Sequence, residues 1–205
     1  MNAKEMLFNA MVGIYEDVTK MVTETGETIV PGSGHILYSQ YTGLYFAELF
    51  TNNRFPNPYY MDPKVLEQAI KCWEYFYTLT DSDGKTRLVT YDNYWGLCVD
   101  EWGVFHWMNT LELLKDYLDP KIIDKWNDRI DTIMLKNVVP GVKRQLYSNR
   151  FRYDVAQHEV SNHFCWHVTA AYRYGQLRQD RSIMDIADEV MNLIADGQTI
   201  SGTWY

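Results

Sequence analysis

The chain has 205 residues, 46% of them hydrophobic, a formal net charge of −8 and a pI near 5.1, enough for one or two compact domains with a sizeable core. The acidic balance excludes a general nucleic-acid binder whose affinity comes from neutralising phosphates, and no apolar run reaches the length of a membrane span. Seven Trp and sixteen Tyr are more amphipathic rings than a plain Leu/Ile/Val core requires; core packing takes most of them, and the remainder suit a surface on which flat sugar faces stack.

The N-terminus, Met1-Asn2-Ala3-Lys4, leads directly into an amphipathic pattern and not a signal peptide. Met6, Leu7, Ala10, Ile14, Val18 and Met21 predict one helix from Ala3 to about Val22, ended at Thr25-Gly26. After the Pro31-Gly32-Ser33-Gly34 loop, His35 opens a very apolar second helix through Tyr41, Leu44, Tyr45 and Leu49. Asp62-Pro63, an N-cap followed by proline at the first helical position, starts a third through Leu66, Ile70, Trp73 and Tyr77. Leu88 to Trp95 reads as extended or irregular chain. A fourth helix covers Glu101 to Tyr117, and Asp119-Pro120 opens a fifth through Ile123, Trp126, Ile130 and Ile133. Asn137 to Glu159 reads as a long polar loop, of the kind that inside a compact domain is functional or disordered. Ser161 caps a sixth helix that ends near Gly175, and a seventh runs from Arg181 to the stop at Asp196-Gly197.

These elements repeat. An apolar, ring-rich helix is followed by an acidic start signal and a more polar helix three times: Tyr38–Phe50 then Asp62, Val104–Leu114 then Asp119, Phe164–Leu177 then Asp180. Alternating buried and half-exposed helices predicts an all-α fold, an α/α toroid built as an incomplete ring of helical hairpins with about seven helices. Residues 1–205 form a single domain of this type, or the N-terminal part of a longer protein. A half ring leaves apolar flanks, so self-association or a missing C-terminal domain is expected. Cys72, Cys98 and Cys165, odd in number and widely spaced, read as buried free thiols and point to a reducing, cytoplasmic setting unless a leader has been removed.

The chemistry concentrates at Ser161-Asn162-His163-Phe164-Cys165-Trp166, which opens an inner helix. Asn162 and His163 fall in its first turn, at the positive end of the helix dipole, where an anionic substrate group is favoured. This stretch resembles the Asn-His motif of the toroid polysaccharide lyases, a grouping that includes alginate lyases and the heparinase II/III-like enzymes. The resemblance implies that Asn162 neutralises a uronate carboxylate and that His163, with a Tyr, moves the proton during β-elimination. Family toroids are commonly longer and often carry a β-sandwich after the helices, neither of which is found here.

The residues support such a reaction independently. Elimination across a uronate requires a neutralised carboxylate, a base and an acid for the leaving oxygen. The segment before the motif carries Lys143, Arg144, Arg150 and Arg152, a basic cluster suited to an acidic polysaccharide, with Tyr147 and Tyr153 as candidate proton-donating phenols. A second constellation, Asp92, Asn93, Tyr94 and Trp95 with Trp102, suits a sugar subsite, and His35 holds the equivalent place on the first inner helix. The structural alternative makes Asn162 and His163 a cap and a satisfied polar pair, and the basic cluster a solvated face. Two other functions stay open: a glycoside hydrolase resembling the unsaturated glucuronyl hydrolases, with Asp92, Asp100 or Glu101 as its carboxylates, and a non-catalytic helical-repeat interaction module. His163 and His167, with Glu159, have metal-chelating spacing, but no matching ligand pair is evident elsewhere; no metal and no cofactor is expected.

Overall fold

The computed structural model describes residues 2–30, 38–89, 94–150, 152 and 162–197, without the side chains of 38–40, 88, 89, 94, 95 and 162. His35, Asp92, Asn93, Tyr153, Glu159 and Ser161 therefore lie outside the described residues, as do the side chains of Tyr94, Trp95 and Asn162. Among the described residues the chain is mostly helical, with one small hairpin of strands. No helix among the described residues is long and apolar enough to cross a membrane.

The predicted first helix is broken in two, α1 (Ala3–Gly13) and α2 (Tyr15–Met21), with Ile14 leaving helical geometry between them. Gly13 weakens the helix at that point. Next come α3 (Tyr38–Thr51) and α4 (Pro63–Leu79), then the antiparallel strands β1 (Thr86–Val89) and β2 (Tyr94–Cys98), then α5 (Glu101–Leu114) and α6 (Pro120–Ile133). Of the polar loop expected over 137–159, the described residues 137–150 and 152 are instead largely helical. A single π-helical turn, Met134–Val138, passes into α7 (Val139–Leu146), whose Val139, Val142 and Leu146 are buried. Lys143 and Arg144 thus sit in the last turn of a helix. The last two helices are α8 (Asn162–Arg178) and α9 (Arg181–Asp196).

The three acidic start signals work as the sequence indicates. Asp62 accepts a bond from Lys64 N, Asp119 from Lys121 N, and Asp180 from both Ser182 N and Ile183 N, each satisfying helix N–H groups that lack an internal acceptor. Gly175 does not end α8. The helix continues to Arg178 and stops at Gln179, which takes a left-handed φ of 54° while Asp180 N returns to Gly175 O. Gly175 serves packing instead, since a Cβ there would lie 2.7 Å from Met184 Cγ on α9.

α3 packs against α4 and α5, α5 against α6 and α8, and α8 against α9, so α3, α5 and α8 form a contiguous row covered by their successors. The burial pattern follows. α5 buries residues all round, from Val104 and Trp107 to Thr110 and Leu114, whereas α6 buries a stripe of Trp126, Ile130 and Ile133. The core centres on Trp107, stacked on Trp73 of α4 at 5.4 Å and 5°, with Phe76 and Trp126 edge-on around it. Trp73 reaches this place because residue 43 of α3 is glycine; a Cβ there would lie 2.5 Å from its indole nitrogen.

The β1–β2 hairpin sets the start of α5. The turn before β1 is anchored on the opposite side by Arg129, which donates to Thr80 O and Asp81 O, and by Asn137, which donates to Asp83 O at 2.7 Å. Thr86 pairs with Cys98 in the register of the strands, so the chain leaves β2 directly into Asp100 and Glu101. Cys72, Cys98 and Cys165 are free thiols, but only Cys72 is buried as expected; Cys98 and Cys165 are half-buried.

Candidate functional site

The N-terminal ends of α5 and α8 meet, and their first turns make one polar constellation. Asp100 caps α5 through Gly103 N at 2.8 Å and is buried. Glu101 is next, 3% exposed, in the first turn, where the helix dipole favours a negative charge. A carboxylate so buried needs a donor, and His163 Nδ1 supplies it at 2.8 Å. A carboxylate only accepts, so His163 carries its proton on Nδ1 and directs the lone pair of Nε2 away from Glu101.

Trp102 backs this imidazole face to face, with ring centroids 4.8 Å apart and planes 13° from parallel. One face of the indole is therefore spent on His163, while the same residue lines the adjoining cavity. Beneath, His106 donates its Nδ1 proton to Trp102 O at 2.6 Å and packs against Tyr41, Phe105 and Trp166. Burial pushes the His106 pKa below the ordinary histidine value and outweighs the backbone bond, so this ring is a neutral support.

One turn further along α8, His167 points Nδ1 at His163 O, 3.0 Å away, and lies 3.6 Å from the same Glu101 oxygen. Two cavities open here. One, of about 310 Å³, is lined by Cys98, Val99, Asp100, Glu101, Trp102, His163 and His167. The other, of about 340 Å³, lies between α7 and α8 and is lined by Gly141, Arg144, Gln145, Ser148, Phe164 and His167. Burial raises the Cys98 thiol pKa to about 11, and Asp100 and Glu101 push it further in the same direction, so this cysteine is a neutral wall and not a nucleophile.

The sequence-predicted residues divide accordingly. His163, Trp102 and Arg144 line the two cavities. Asn162 is the first residue of α8, beside His163 in the chain. Lys143, Arg150 and Arg152 are exposed. Tyr147 is 80% exposed at the end of α7 and lines neither cavity. Asp100 and Glu101, considered as paired hydrolytic carboxylates, are each held in a bond to the protein. No group of three or more His, Cys, Asp or Glu among the described residues is arranged to hold a metal ion. Sequence reading missed the partnership of Glu101 with His163, and Gln145 and Ser148 as cavity walls.

A smaller cavity of about 190 Å³ lies toward the C-terminal ends of α5 and α8, where Arg178 already pairs with Asp131 and Asn127 and Arg173 with Glu112. Comparison of the chain with protein-family models, curated protein sequences and solved structures gives no match.

Proposed function

We propose that this chain is a carbohydrate-active protein of the polysaccharide-lyase type, built on an α/α toroid and eliminating across a uronic acid in an acidic polysaccharide. The observation that carries the reading is the His163–Glu101 pair, an imidazole tautomer fixed by a buried carboxylate and braced by Trp102 beside a sugar-sized cavity. The row of α3, α5 and α8, each covered by its successor, is the packing that a ring of helical hairpins uses.

His163 Nε2 takes the proton from C5 of the uronate. Glu101 stabilises the imidazolium that forms, as a carboxylate does for a general base that must gain charge. Asn162, in the first turn of α8, neutralises the substrate carboxylate so that this proton becomes acidic, with the α8 dipole in the same sense. Arg144, with Lys143, Arg150 and Arg152 nearby in sequence, holds further acidic groups of the chain.

The test is turnover of alginate-, heparin- and chondroitin-type chains, followed by the ultraviolet absorbance of the new double bond. Asn162→Ala and His163→Ala should each lower kcat by about a hundredfold or more with the helical circular dichroism retained. Absence of unsaturated product from every uronate glycan, or full activity in both variants, would refute the assignment and leave Asn162 and His163 as a cap and a polar pair.

A further inference from the structure

The elimination reading requires an acid for the leaving oxygen; of the two phenols expected there, Tyr147 is exposed and lines neither cavity, and Tyr153 lies outside the described residues. We propose that His167 is this acid, and that the glycan crosses it from one cavity to the other, with the leaving sugar held beside Arg144. The proposal rests on the lyase reading of His163.

Among the described residues His167 is the one that lines both cavities. Its ring is more enclosed than that of His163, with side-chain exposures of 24% and 52%. Its orientation is set by a hydrogen bond on one edge, and α7 borders the other. Nδ1 donates to His163 O at 3.0 Å, and on the other side α7 comes close at Gly141, where a Cβ would lie 3.7 Å from His167 Cδ2. The bond at Nδ1 leaves Nε2, the atom next to Cδ2, as the nitrogen that can give a proton to a ligand. An added Cβ at 141 would make only an ordinary van der Waals contact with that edge, so α7 borders the ring without closing on it.

Spacing and charge fit two coupled proton transfers. His163 and His167 are four residues apart on one helix, so their Cβ atoms are about 5–6 Å apart on the same face. That separation lets one imidazole reach the hydrogen on C5 and the other reach the oxygen on C4 of a single sugar ring, each at about 3 Å. The groups facing His167 are Glu101 at 3.6 Å, His163, and Arg144 across the second cavity. Glu101 is shared between the two rings, and it supports one positive charge on either.

In the reacting state His163 is neutral and His167 is protonated. His163 Nε2 takes the C5 proton, the C–H electron pair becomes the C4–C5 double bond, the C4–O bond breaks, and the oxygen takes the proton from His167 Nε2. The products are the unsaturated uronate in the His163 cavity and a sugar hydroxyl in the Arg144 cavity. The charge of the three groups together is unchanged by the step, because the cation moves from His167 to His163. Solvent exchange of one proton on each ring resets the pair. Arg144 has no acidic partner among the described residues and faces the leaving sugar beside Gln145 and Ser148, so that subsite selects a sugar carrying a carboxylate or sulfate.

The deciding experiment compares two substrates, a uronate glycan and a synthetic uronate whose C4 oxygen carries a nitrophenyl group, which leaves as a stable phenolate without protonation. His167→Gln should lose about a hundredfold or more in kcat on the glycan but remain within about threefold of wild type on the nitrophenyl ether. His163→Gln should lose activity on both, since both need the base. His167→Lys, which returns an acid to the same place, should recover part of the glycan turnover. The proposal is overturned if His167→Gln keeps glycan activity within about threefold, or if a folded His167→Gln loses both substrates equally. If wild type forms unsaturated product from neither substrate, the lyase reading falls and this one with it.

Discussion

Glu101→Gln isolates the charge of Glu101 from its shape. The side chain is buried and its oxygen lies 2.8 Å from His163 Nδ1, so glutamine fills the same space while removing the negative charge. Two unit charges at that separation interact by about 6 kcal/mol at an effective dielectric near 20. The imidazole is 52% exposed, and solvent screening lowers the useful part to about 2 kcal/mol, the range of a hydrogen bond to a charged group. The charge on His163 appears only as it accepts the substrate proton, so this energy belongs to the transition state, and kcat should fall at least about 30-fold with KM nearly unchanged. The amide can also turn and donate to Nδ1, which places the imidazole proton on Nε2 and adds to the loss. The assay is the initial rate of double-bond absorbance, read beside nitrogen NMR of the His163 tautomer, which in wild type should show the proton on Nδ1. A Glu101→Gln protein with kcat within about twofold of wild type would refute the assignment of Glu101 as the residue that positions and supports the base.

Gly43→Ala should test the packing behind the site, because its Cβ would meet Trp73 Nε1 at 2.5 Å and displace the ring stacked on Trp107. Overpacking of this kind costs about 1–3 kcal/mol, and Tm by differential scanning calorimetry should drop by about 2–10 °C. His106 sets an acid limit on stability. Its pKa is depressed by burial, so its contribution is complete above the unfolded value of about 6.5 and is lost as pH falls through the lower folded value. Urea melts at successive pH values should therefore show stability declining below about pH 6.5, and His106→Phe should flatten that decline.

Much of the fold was legible because its signals are local. Asp62-Pro63, Asp119-Pro120 and Asp180 mark helix starts by chemistry that operates within three residues, and all three carry their capping bonds. The stripe of Trp126, Ile130 and Ile133 likewise identifies a half-covered helix without any knowledge of its neighbour. The failures are of two kinds. In α7 only Val139, Val142 and Leu146 carry the period, and Pro140 and Gly141 between them read as loop chemistry. At Gly175 the residue type permits two roles, a cap or a close crossing, and only Met184 on α9 decides between them. Both cases turn on tertiary packing that no window of sequence contains.

The site divides along the same line, and the division explains how the parts depend on one another. Asn162, His163 and His167 are visible in sequence because one helix presents them, the last two at the i and i+4 spacing. The pairing of Glu101 with His163 is not, since 62 residues separate the two and the position of Glu101 depends on the β1–β2 register that delivers the chain into α5. That register is held from the far side by Arg129 and Asn137 on the turn before β1. Gly84 in that turn has a φ of 74° and sits where a Cβ would come within 2.8 Å of Ile133 Cα, so the turn docks on α6 only with glycine there. The base is thus set by two inputs of different kind: a helix face that brings the imidazoles, and a hairpin, clamped on α6 and the π-turn, that brings the carboxylate which fixes the His163 tautomer.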